Sequence, residues 1–321
     1  MNPIRWGIIG CGDVTEIKSG PAFQKASGSE LIAVMRRNGR LAADYARRHH
    51  VPKWYDNADD LINDPDVNAV YIATPPSSHK EYTLATARAG KPVYGEKPMA
   101  LNYAECQEMI SACEKAGVPL FVAYYRRALP GFLKIKELLD HGMIGAIRHI
   151  SIFLSKTTYA KDLNKEPNWR VNPEIAGCGY FCDLASHTLD LLHYYFGAIK
   201  SAAGYRENQT NLYIAEDIIS AVLQFDNGII GAGSWIFNAR ENIDMNIITG
   251  TKGKITFSTF ENSPVILETS EKTRSFAIAN PEHIQQPLIQ SIVDELKGTG
   301  RCPSTGRSAS LTNIVMDWIL K

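Results

Sequence analysis

The chain has 321 residues, of which 45% are hydrophobic and 21% are charged, as in ordinary globular proteins. At about 100–200 residues per domain, this length predicts two domains. The 34 basic and 34 acidic residues cancel, so no net charge would attract nucleic acid or an anionic membrane. No apolar run reaches the roughly 20 residues that span a bilayer, and the first residues lack a signal-peptide pattern. We therefore expect a cytoplasmic protein with no membrane or nucleic-acid partner.

Strand and helix patterns alternate over the first 123 residues. Short apolar strands are predicted at Ile4–Ile9, Leu31–Met35, Ala69–Thr74, Pro92–Gly95 and Pro119–Ala123, and helices at Arg40–His50, Ser78–Ala89 and Tyr103–Ala116. Strands that alternate with helices in this way are typical of a parallel, doubly wound sheet. The pattern predicts an α/β dinucleotide-binding Rossmann domain over residues 1–123.

From about residue 145, strand-like segments follow one another closely. They lie at Ala146–Ser155, Asp217–Phe225, Gly228–Ile236, Asp244–Gly250, Gly253–Ser258 and Pro264–Glu268, with helices at Pro130–His141, Asp183–Phe196, Ile284–Lys297 and Ser308–Leu320. Close spacing predicts a C-terminal α+β domain over residues 124–321, with a large, mostly antiparallel open sheet. Helices on one face would leave the other face apolar, so we expect a homodimer or homotetramer formed through this domain.

A glycine-rich turn follows the first predicted strand and precedes helical sequence. In the motif Gly10-Cys-Gly12-Asp13-Val14, the glycines would let backbone N–H groups approach a pyrophosphate. The third position of the fingerprint, usually Gly or Ala, is Thr15. The alternative is a tight strand-to-helix loop with no ligand. We expect a nucleotide here, with Asp13 and Val14 beside it.

The end of the second strand indicates which nucleotide binds. An acidic residue there would accept hydrogen bonds from the ribose of NAD, but this chain has Arg36 and Arg37. Two guanidinium groups suit a 2′-phosphate, so NADP is favoured and NAD stays possible. The alternative is a solvated basic loop.

Two further segments lie at the carboxyl ends of predicted strands, where ligands bind in open parallel sheets. The residues that we expect to contact the cofactor there are Thr74, Pro75, His79, Glu96 and Lys97. A cis Lys97–Pro98 bond would direct the lysine into the crevice.

A polar stripe marks the helix predicted over Asp183–Phe196. Asp183, His187, Asp190 and Tyr194 fall on one side, whereas most other positions are apolar. A helix that is apolar nearly all round is buried, so we expect the stripe to line a pocket. The alternative is a solvent-exposed face.

Six cysteines do not suggest a disulfide framework in a chain of this length. Cys178, Cys182 and His187 match no common zinc spacing, and we expect no metal site.

In their order and spacing, these segments resemble the Gfo/Idh/MocA family of nicotinamide-dependent oxidoreductases. The order is a Gly-Cys-Gly turn, Thr-Pro-Pro-x-x-His, Glu-Lys-Pro, Tyr-Tyr-Arg-Arg, Trp-Arg, Gly-x-Gly, Asp-x-x-x-His-x-x-Asp and Gly-Thr-Lys-Gly. The resemblance implies hydride transfer between the cofactor and a secondary hydroxyl or ketone of a sugar, inositol or polyol. It also implies that Lys97 and His187 meet at the substrate hydroxyl, with Asp183 beside them.

The resemblance further implies a set of substrate-binding residues. Arg126 and Arg127 match family arginines, although a surface pair at a domain junction is the alternative. Trp169 and Arg170 match a segment that borders the substrate, where the indole suits a sugar ring and the guanidinium suits hydroxyls or a carboxylate. A dihydrodiol dehydrogenase with an apolar ring substrate, or a non-catalytic nucleotide-binding sensor, are the competing hypotheses.

Overall fold

The computed structural model describes residues 2–321, which divide into two units. Unit 1 runs to Leu129 and includes Pro281–Ser310, and unit 2 comprises Pro130–Asn280 and Leu311–Lys321. The sequence pattern placed one boundary after residue 123 and assigned everything beyond it to the second domain. The return of Pro281–Ser310 to unit 1 has no sequence signal, because an amphipathic helix does not reveal which sheet its apolar face covers.

Six parallel strands form the sheet of unit 1, in the order β3-β2-β1-β4-β5-β6. The strands are β1 (Ile4–Ile9), β2 (Ser29–Met35), β3 (Lys53–Tyr55), β4 (Ala69–Ile72), β5 (Val93–Gly95) and β6 (Leu120–Val122). The helices are α1 (Asp13–Ile17), α2 (Gly20–Lys25), α3 (Gly39–Arg48), α4 (Ala58–Asn63), α5 (His79–Arg88) and α6 (Tyr103–Lys115). The predicted Rossmann fold is confirmed, and β3 is an additional edge strand of three residues.

Local sequence explains where several of these helices begin. Asn38, Asn57 and Asn102 stand at the N-termini of α3, α4 and α6, and each side chain accepts a backbone N–H of the first turn. Such caps satisfy donors that have no partner within the helix. All four residues of β4 are buried, as expected for a strand covered on both faces.

Unit 2 contains an eight-stranded sheet in the order β14-β13-β12-β11-β7-β10-β9-β8. Its strands are β7 (Ile147–Thr157), β8 (Ile199–Glu207), β9 (Ile218–Phe225), β10 (Ile230–Ala239), β11 (Ile243–Gly250), β12 (Gly253–Phe257), β13 (Val265–Thr269) and β14 (Thr273–Phe276). Its helices are α7 (Pro130–Asp140), α8 (Ala160–Leu163), α9 (Pro173–Ala176) and α10 (Gly179–Phe196). Only β7 and β10 pair in parallel, which confirms the predicted mostly antiparallel sheet.

The last two helices are α11 (Gln286–Leu296) in unit 1 and α12 (Gly306–Ile319), of which residues from Leu311 onward belong to unit 2. Short 3-10 turns occur at Pro76–Ser78, Tyr125–Ala128 and Trp169–Val171. Within residues 2–321, no helix has both the length and the apolar character that crossing a bilayer requires.

One face of the unit 2 sheet is covered by helices. Phe181 of α10 lies edge-on against Trp235 of β10, with ring centroids 5.1 Å apart, and α12 adds Val315 and Met316 to the same core. Each large apolar side chain buried in this way stabilises the fold by about 1.5–3 kcal/mol.

The opposite face of this sheet carries large apolar side chains in contact with solvent. Direct pairing across the strands aligns Tyr205, Ser220, Ser234, Phe153 and Met245 in one row. Tyr205 is 90% exposed and Met245 is 42% exposed. We refer to this row as the open-face row.

Candidate active site

The turn between β1 and α1 has the shape that a dinucleotide requires. Gly10 has a φ of 91°, and a Cβ built there would lie 2.8 Å from Cγ2 of Thr74, so only glycine fits. A Cβ built at Gly12 would meet nothing nearer than the Gly10 carbonyl oxygen at 3.9 Å. Asp13 and Val14 begin α1 directly after the turn. The turn is therefore closed toward β4 and open on the side where backbone N–H groups could hold a pyrophosphate.

Thr15, which replaces the usual Gly or Ala of the fingerprint, is accommodated by local hydrogen bonds. The Thr15 side chain is buried, its hydroxyl donates to the Gly12 carbonyl oxygen at 2.7 Å, and Tyr45 donates to the Thr15 carbonyl oxygen at 2.8 Å. Cys11 lies within the turn, and burial raises the pKa of its thiol to about 11. The turn therefore carries a neutral thiol at physiological pH.

Arg36 and Arg37 follow β2 and are exposed, with no carboxylate at the strand end. Nη1 of Arg36 donates to the Cys11 carbonyl oxygen at 3.5 Å, which keeps this guanidinium beside the glycine-rich turn. Of these two arginines, Arg36 is the one whose guanidinium donates to a backbone carbonyl of the turn.

Glu96 and Lys97 follow β5, and the peptide bond between Lys97 and Pro98 is cis. In a parallel sheet, the ends of β1, β4 and β5 lie at the same edge. The Gly10–Gly12 turn, Thr74 and Lys97 therefore belong to one edge of unit 1.

His79 is buried and faces backbone carbonyl groups of both neighbouring segments. Its Nε2 lies 2.8 Å from the Thr74 carbonyl oxygen, and its Nδ1 lies 3.1 and 3.2 Å from those of Pro98 and Met99. Burial lowers the pKa of His79. This geometry connects the loop after β4 to the loop after β5, and Pro75 lies in the first of these loops.

The Glu96 carboxylate is buried and surrounded by donors. Its Oε1 accepts from the Tyr71 hydroxyl and from Nε2 of Gln285, each at 2.6 Å, and its Oε2 accepts from the Lys97 backbone N–H at 3.1 Å. Tyr94 in turn donates to Oε1 of Gln285 at 2.7 Å. Sequence reasoning identified Glu96 but missed Gln285, Tyr71 and Tyr94.

Arg126 and Arg127 are each only 5% exposed, so the alternative of a surface pair is wrong. Nη1 of Arg127 donates to the Pro303 carbonyl oxygen at 2.8 Å, and the Arg126 guanidinium lies 5.0 Å from the Tyr125 ring centroid. Arg127 therefore connects the segment after β6 to the loop between α11 and α12, within unit 1.

The polar stripe of α10 is not a solvent-exposed face. His187 is 3% exposed and Asp190 is 1% exposed, and the His187 ring lies edge-on to Phe260 with centroids 5.8 Å apart. Asp183, one turn earlier, is partly accessible, and its Oδ2 lies 3.4 Å from Nε of Arg170. The Arg170 guanidinium lies over the Trp169 indole, 4.5 Å from its centroid.

A group of three polar residues, of which Asp162 and Tyr180 are buried, fixes the segment that carries Trp169 and Arg170. Tyr180 donates to Oδ2 of Asp162 at 2.6 Å, and Nδ2 of Asn168 donates to Oδ1 of Asp162 at 2.7 Å. Oδ1 of Asn168 accepts the Arg170 backbone N–H at 3.2 Å. This conformation could not be predicted from the sequence, because Asp162 and Asn168 lie in a short segment without a periodic pattern of apolar residues.

Cys178 and Cys182 form a disulfide at the start of α10, although no disulfide was expected from the sequence. Among residues 2–321, no three His, Cys, Asp or Glu side chains are grouped so that they could hold a metal ion.

We predict that Tyr180→Phe destabilises the protein by about 1–3 kcal/mol, since a buried carboxylate loses a hydrogen-bond donor. Urea unfolding measures this change. Tyr205→Phe is the matched control, because it removes a tyrosine hydroxyl from unit 2 that does not satisfy a buried carboxylate and keeps the ring. Equal unfolding midpoints for Tyr180→Phe and the wild type would contradict the role given to Asp162.

Two family profiles match the chain. Residues 4–124 match the Gfo/Idh/MocA oxidoreductase family with an NAD-binding Rossmann fold, and residues 132–256 match the Gfo/Idh/MocA C-terminal domain. The chain is 43% identical over 317 residues to Oxidoreductase P35 of Formosa agariphila, covering 98% of this chain and 97% of the relative. It is 32% identical over 259 residues to mouse trans-1,2-dihydrobenzene-1,2-diol dehydrogenase, covering 78% and 73%.

Among solved structures, levoglucosan dehydrogenase in complex with NADH and levoglucosan superposes with a TM-score of 0.87 and 22% identity, covering 99% of this chain and 96% of that one. At this identity the likeness concerns the fold. The two family matches and the relatives show that the chain belongs to the Gfo/Idh/MocA family of oxidoreductases.

Proposed function

We propose that this oxidoreductase transfers a hydride between NADP and a secondary hydroxyl or ketone of a sugar, inositol or related polyol. One observation carries the proposal: the Gly10–Gly12 turn and Lys97 lie at the same edge of one parallel sheet. That edge is where ligands bind in this fold class. A cofactor site and a proton-transferring side chain thus share one rigid scaffold.

Different residues of unit 1 would bind different parts of the cofactor. Gly10, Gly12, Asp13 and Val14 would hold the pyrophosphate. Arg36 and Arg37 would bind a 2′-phosphate, Arg36 by a bidentate pair. Thr74, Pro75 and Glu96 would line the same edge, with His79 holding the loops behind them. When bound, the cofactor supplies the nicotinamide carbon C4 that accepts or returns the hydride.

Proton transfer is assigned to Lys97 and His187. In the oxidative direction, His187 takes the proton of the substrate hydroxyl, and Asp183 orients the imidazole and stabilises its cationic form. Lys97 donates to the same oxygen and stabilises the negative charge that develops there. Their assignment to one reaction rests on the family resemblance, and the two residues could exchange the acid and base roles.

Trp169 and Arg170 support a sugar-like substrate. An indole face suits the C–H side of a sugar ring, and the guanidinium above it suits hydroxyl or carboxylate oxygens. Arg126 is the further candidate for substrate binding.

A cyclic diol is the second candidate substrate, since a mouse dihydrodiol dehydrogenase is among the relatives. Tyr159, Tyr180 and Phe237 form an aromatic cluster in unit 2, which would suit an apolar ring. The Tyr180 hydroxyl is hydrogen-bonded, however, and Trp169 lies beneath a guanidinium. These polar partners favour the sugar or polyol.

The open-face row supports a homodimer or homotetramer formed through unit 2. Tyr205 and Met245 of this row are exposed, and a second copy that packs on this face of the sheet would bury both side chains.

We predict that Lys97→Ala and His187→Ala each lower kcat by about 10²–10⁴, the usual contribution of a general acid or base. A panel of sugars, inositols and cyclic diols, followed by cofactor fluorescence with NAD and NADP, identifies the substrate for this measurement. Cofactor affinity should stay nearly unchanged, because the residues proposed to hold the pyrophosphate and the 2′-phosphate are all retained. Lys115→Ala and His141→Ala are matched controls at exposed positions. Wild-type turnover in both variants would refute the mechanism.

We predict that NADP binds more tightly than NAD and that Arg36→Ala removes most of this preference, because the guanidinium that pairs with the 2′-phosphate is lost. Titration of each cofactor by intrinsic fluorescence gives the two Kd values. Arg47→Ala, on the exposed end of α3, is the control. An unchanged ratio of the two Kd values in Arg36→Ala would show that the residue does not select the cofactor.

We predict an assembly larger than a monomer in light scattering at micromolar concentration. Replacing Tyr205 and Met245 together by Glu places charges on the open-face row and should yield monomers. Tyr205→Phe with Met245→Leu keeps both side chains large and uncharged and should preserve the assembly. A monomeric wild type would contradict the proposed interface.

A further inference from the structure

We propose that Gln285 is a positioning residue for the reaction: it orients the Glu96 carboxylate, which in turn fixes the backbone of Lys97. This inference rests on the proposed function, because it assumes that Lys97 acts on the substrate. Glu96 accepts the Lys97 backbone N–H, and Gln285 donates to Oε1 of the same carboxylate. It acts through Glu96.

The geometry around the carboxylate is specific. Oε1 of Glu96 receives two short hydrogen bonds, from Tyr71 and Gln285, both at 2.6 Å. Oε2 is thereby directed toward the Lys97 backbone N–H at 3.1 Å. Because Tyr71 and Gln285 are completely buried, water cannot replace either donor.

The orientation of Gln285 is itself determined by its neighbours. Tyr94 donates to its Oε1 at 2.7 Å, so the amide must present Nε2 to Glu96. The Tyr71 and Tyr94 rings stack at 4.8 Å, and burial raises the pKa of both hydroxyls well above the usual range, which keeps them protonated donors. The two tyrosine hydroxyls and one Nε2 hydrogen of Gln285 therefore each have an assigned acceptor.

Gln285 reaches this position because the segment before α11 is anchored to α1. The Gln285 backbone N–H donates to the Lys18 carbonyl oxygen at 3.2 Å, and Nδ1 of His283 lies 2.7 Å from the carbonyl oxygen of Ile17. Lys18 and Ile17 follow the glycine-rich turn in sequence. Through these two contacts, the segment before α11 connects the glycine-rich turn after β1 to Lys97 after β5.

A second glutamine, which lies within α11, provides a matched control. Gln290 also connects α11 to the rest of unit 1, since its Oε1 accepts the Ser27 backbone N–H at 2.7 Å. It does not touch Glu96. A purely structural role for Gln285 predicts that Gln285→Met and Gln290→Met behave alike, whereas a positioning role predicts that only Gln285→Met affects turnover.

The first measurement is hydrogen–deuterium exchange followed by mass spectrometry, which requires neither substrate nor cofactor. In Gln285→Met, the peptide that contains the Lys97 amide should exchange about tenfold faster, as expected when its hydrogen-bond acceptor becomes mobile. Gln290→Met should leave this peptide unchanged. Tyr71→Phe removes the other donor to Oε1 while keeping the ring, so it should reproduce the effect even if Gln285→Met folds poorly.

The second measurement separates kcat from KM. In Gln285→Met and Tyr71→Phe, kcat should fall about 10- to 100-fold, as displacement of a catalytic group by an ångström does, while KM and the cofactor Kd change less than about threefold. Wild-type exchange and wild-type kcat in both folded variants would overturn the proposal. Altered exchange with no turnover by the wild type on any substrate would instead refute the proposed function and leave the positioning of Lys97 standing.

Discussion

The candidate active site of unit 1 depends on the hydrogen bonds that satisfy the buried Glu96 carboxylate. A buried carboxylate is costly unless donors satisfy it, and here a tyrosine, a glutamine and a backbone N–H do so. These donors come from β4, from the segment before α11 and from Lys97. The need to satisfy one carboxylate therefore brings separate segments together at the edge of the sheet where the glycine-rich turn lies. His79 adds a second connection there, since it joins the loops after β4 and β5.

Unit 2 also contains a buried carboxylate that is satisfied by donors from separate segments. Asp162 is buried and takes its donors from Tyr180 of α10 and from Asn168. This fixes the short turn with Trp169 and Arg170 beside the helix that carries Asp183 and His187. In both units, a buried acid that does no chemistry holds a residue that is proposed to contact substrate. Such preorganisation limits the cost of ordering a site when the ligand binds.

The fold and the motifs could be predicted from local pattern. Apolar runs between helices predicted the parallel sheet, because periodicity reports which side of an element is buried. The apolar character of the rest of α10 predicted that its polar stripe, which contains Asp183 and His187, is not a solvent-exposed face. The partners of those residues could not be predicted in this way. Gln285 lies 189 positions from Glu96, and nothing in its neighbourhood marks it as the partner of a carboxylate. From the sequence alone, a surface position and a functional position were equally plausible for Arg127. The tertiary structure shows that Arg127 is buried and donates a hydrogen bond to the Pro303 carbonyl oxygen.

The central claim, that this chain catalyses hydride transfer at a carbon bearing oxygen, is tested most directly by following the hydrogen itself. The oxidised substrate identified by the panel is incubated with NADPH or NADH that is deuterated at C4, and the alcohol product is analysed by mass spectrometry. With the wild-type protein, we expect one non-exchangeable deuterium at the carbinol carbon, transferred from the cofactor. Product that carries no deuterium, although the cofactor is fully labelled at C4 and is oxidised, would contradict it.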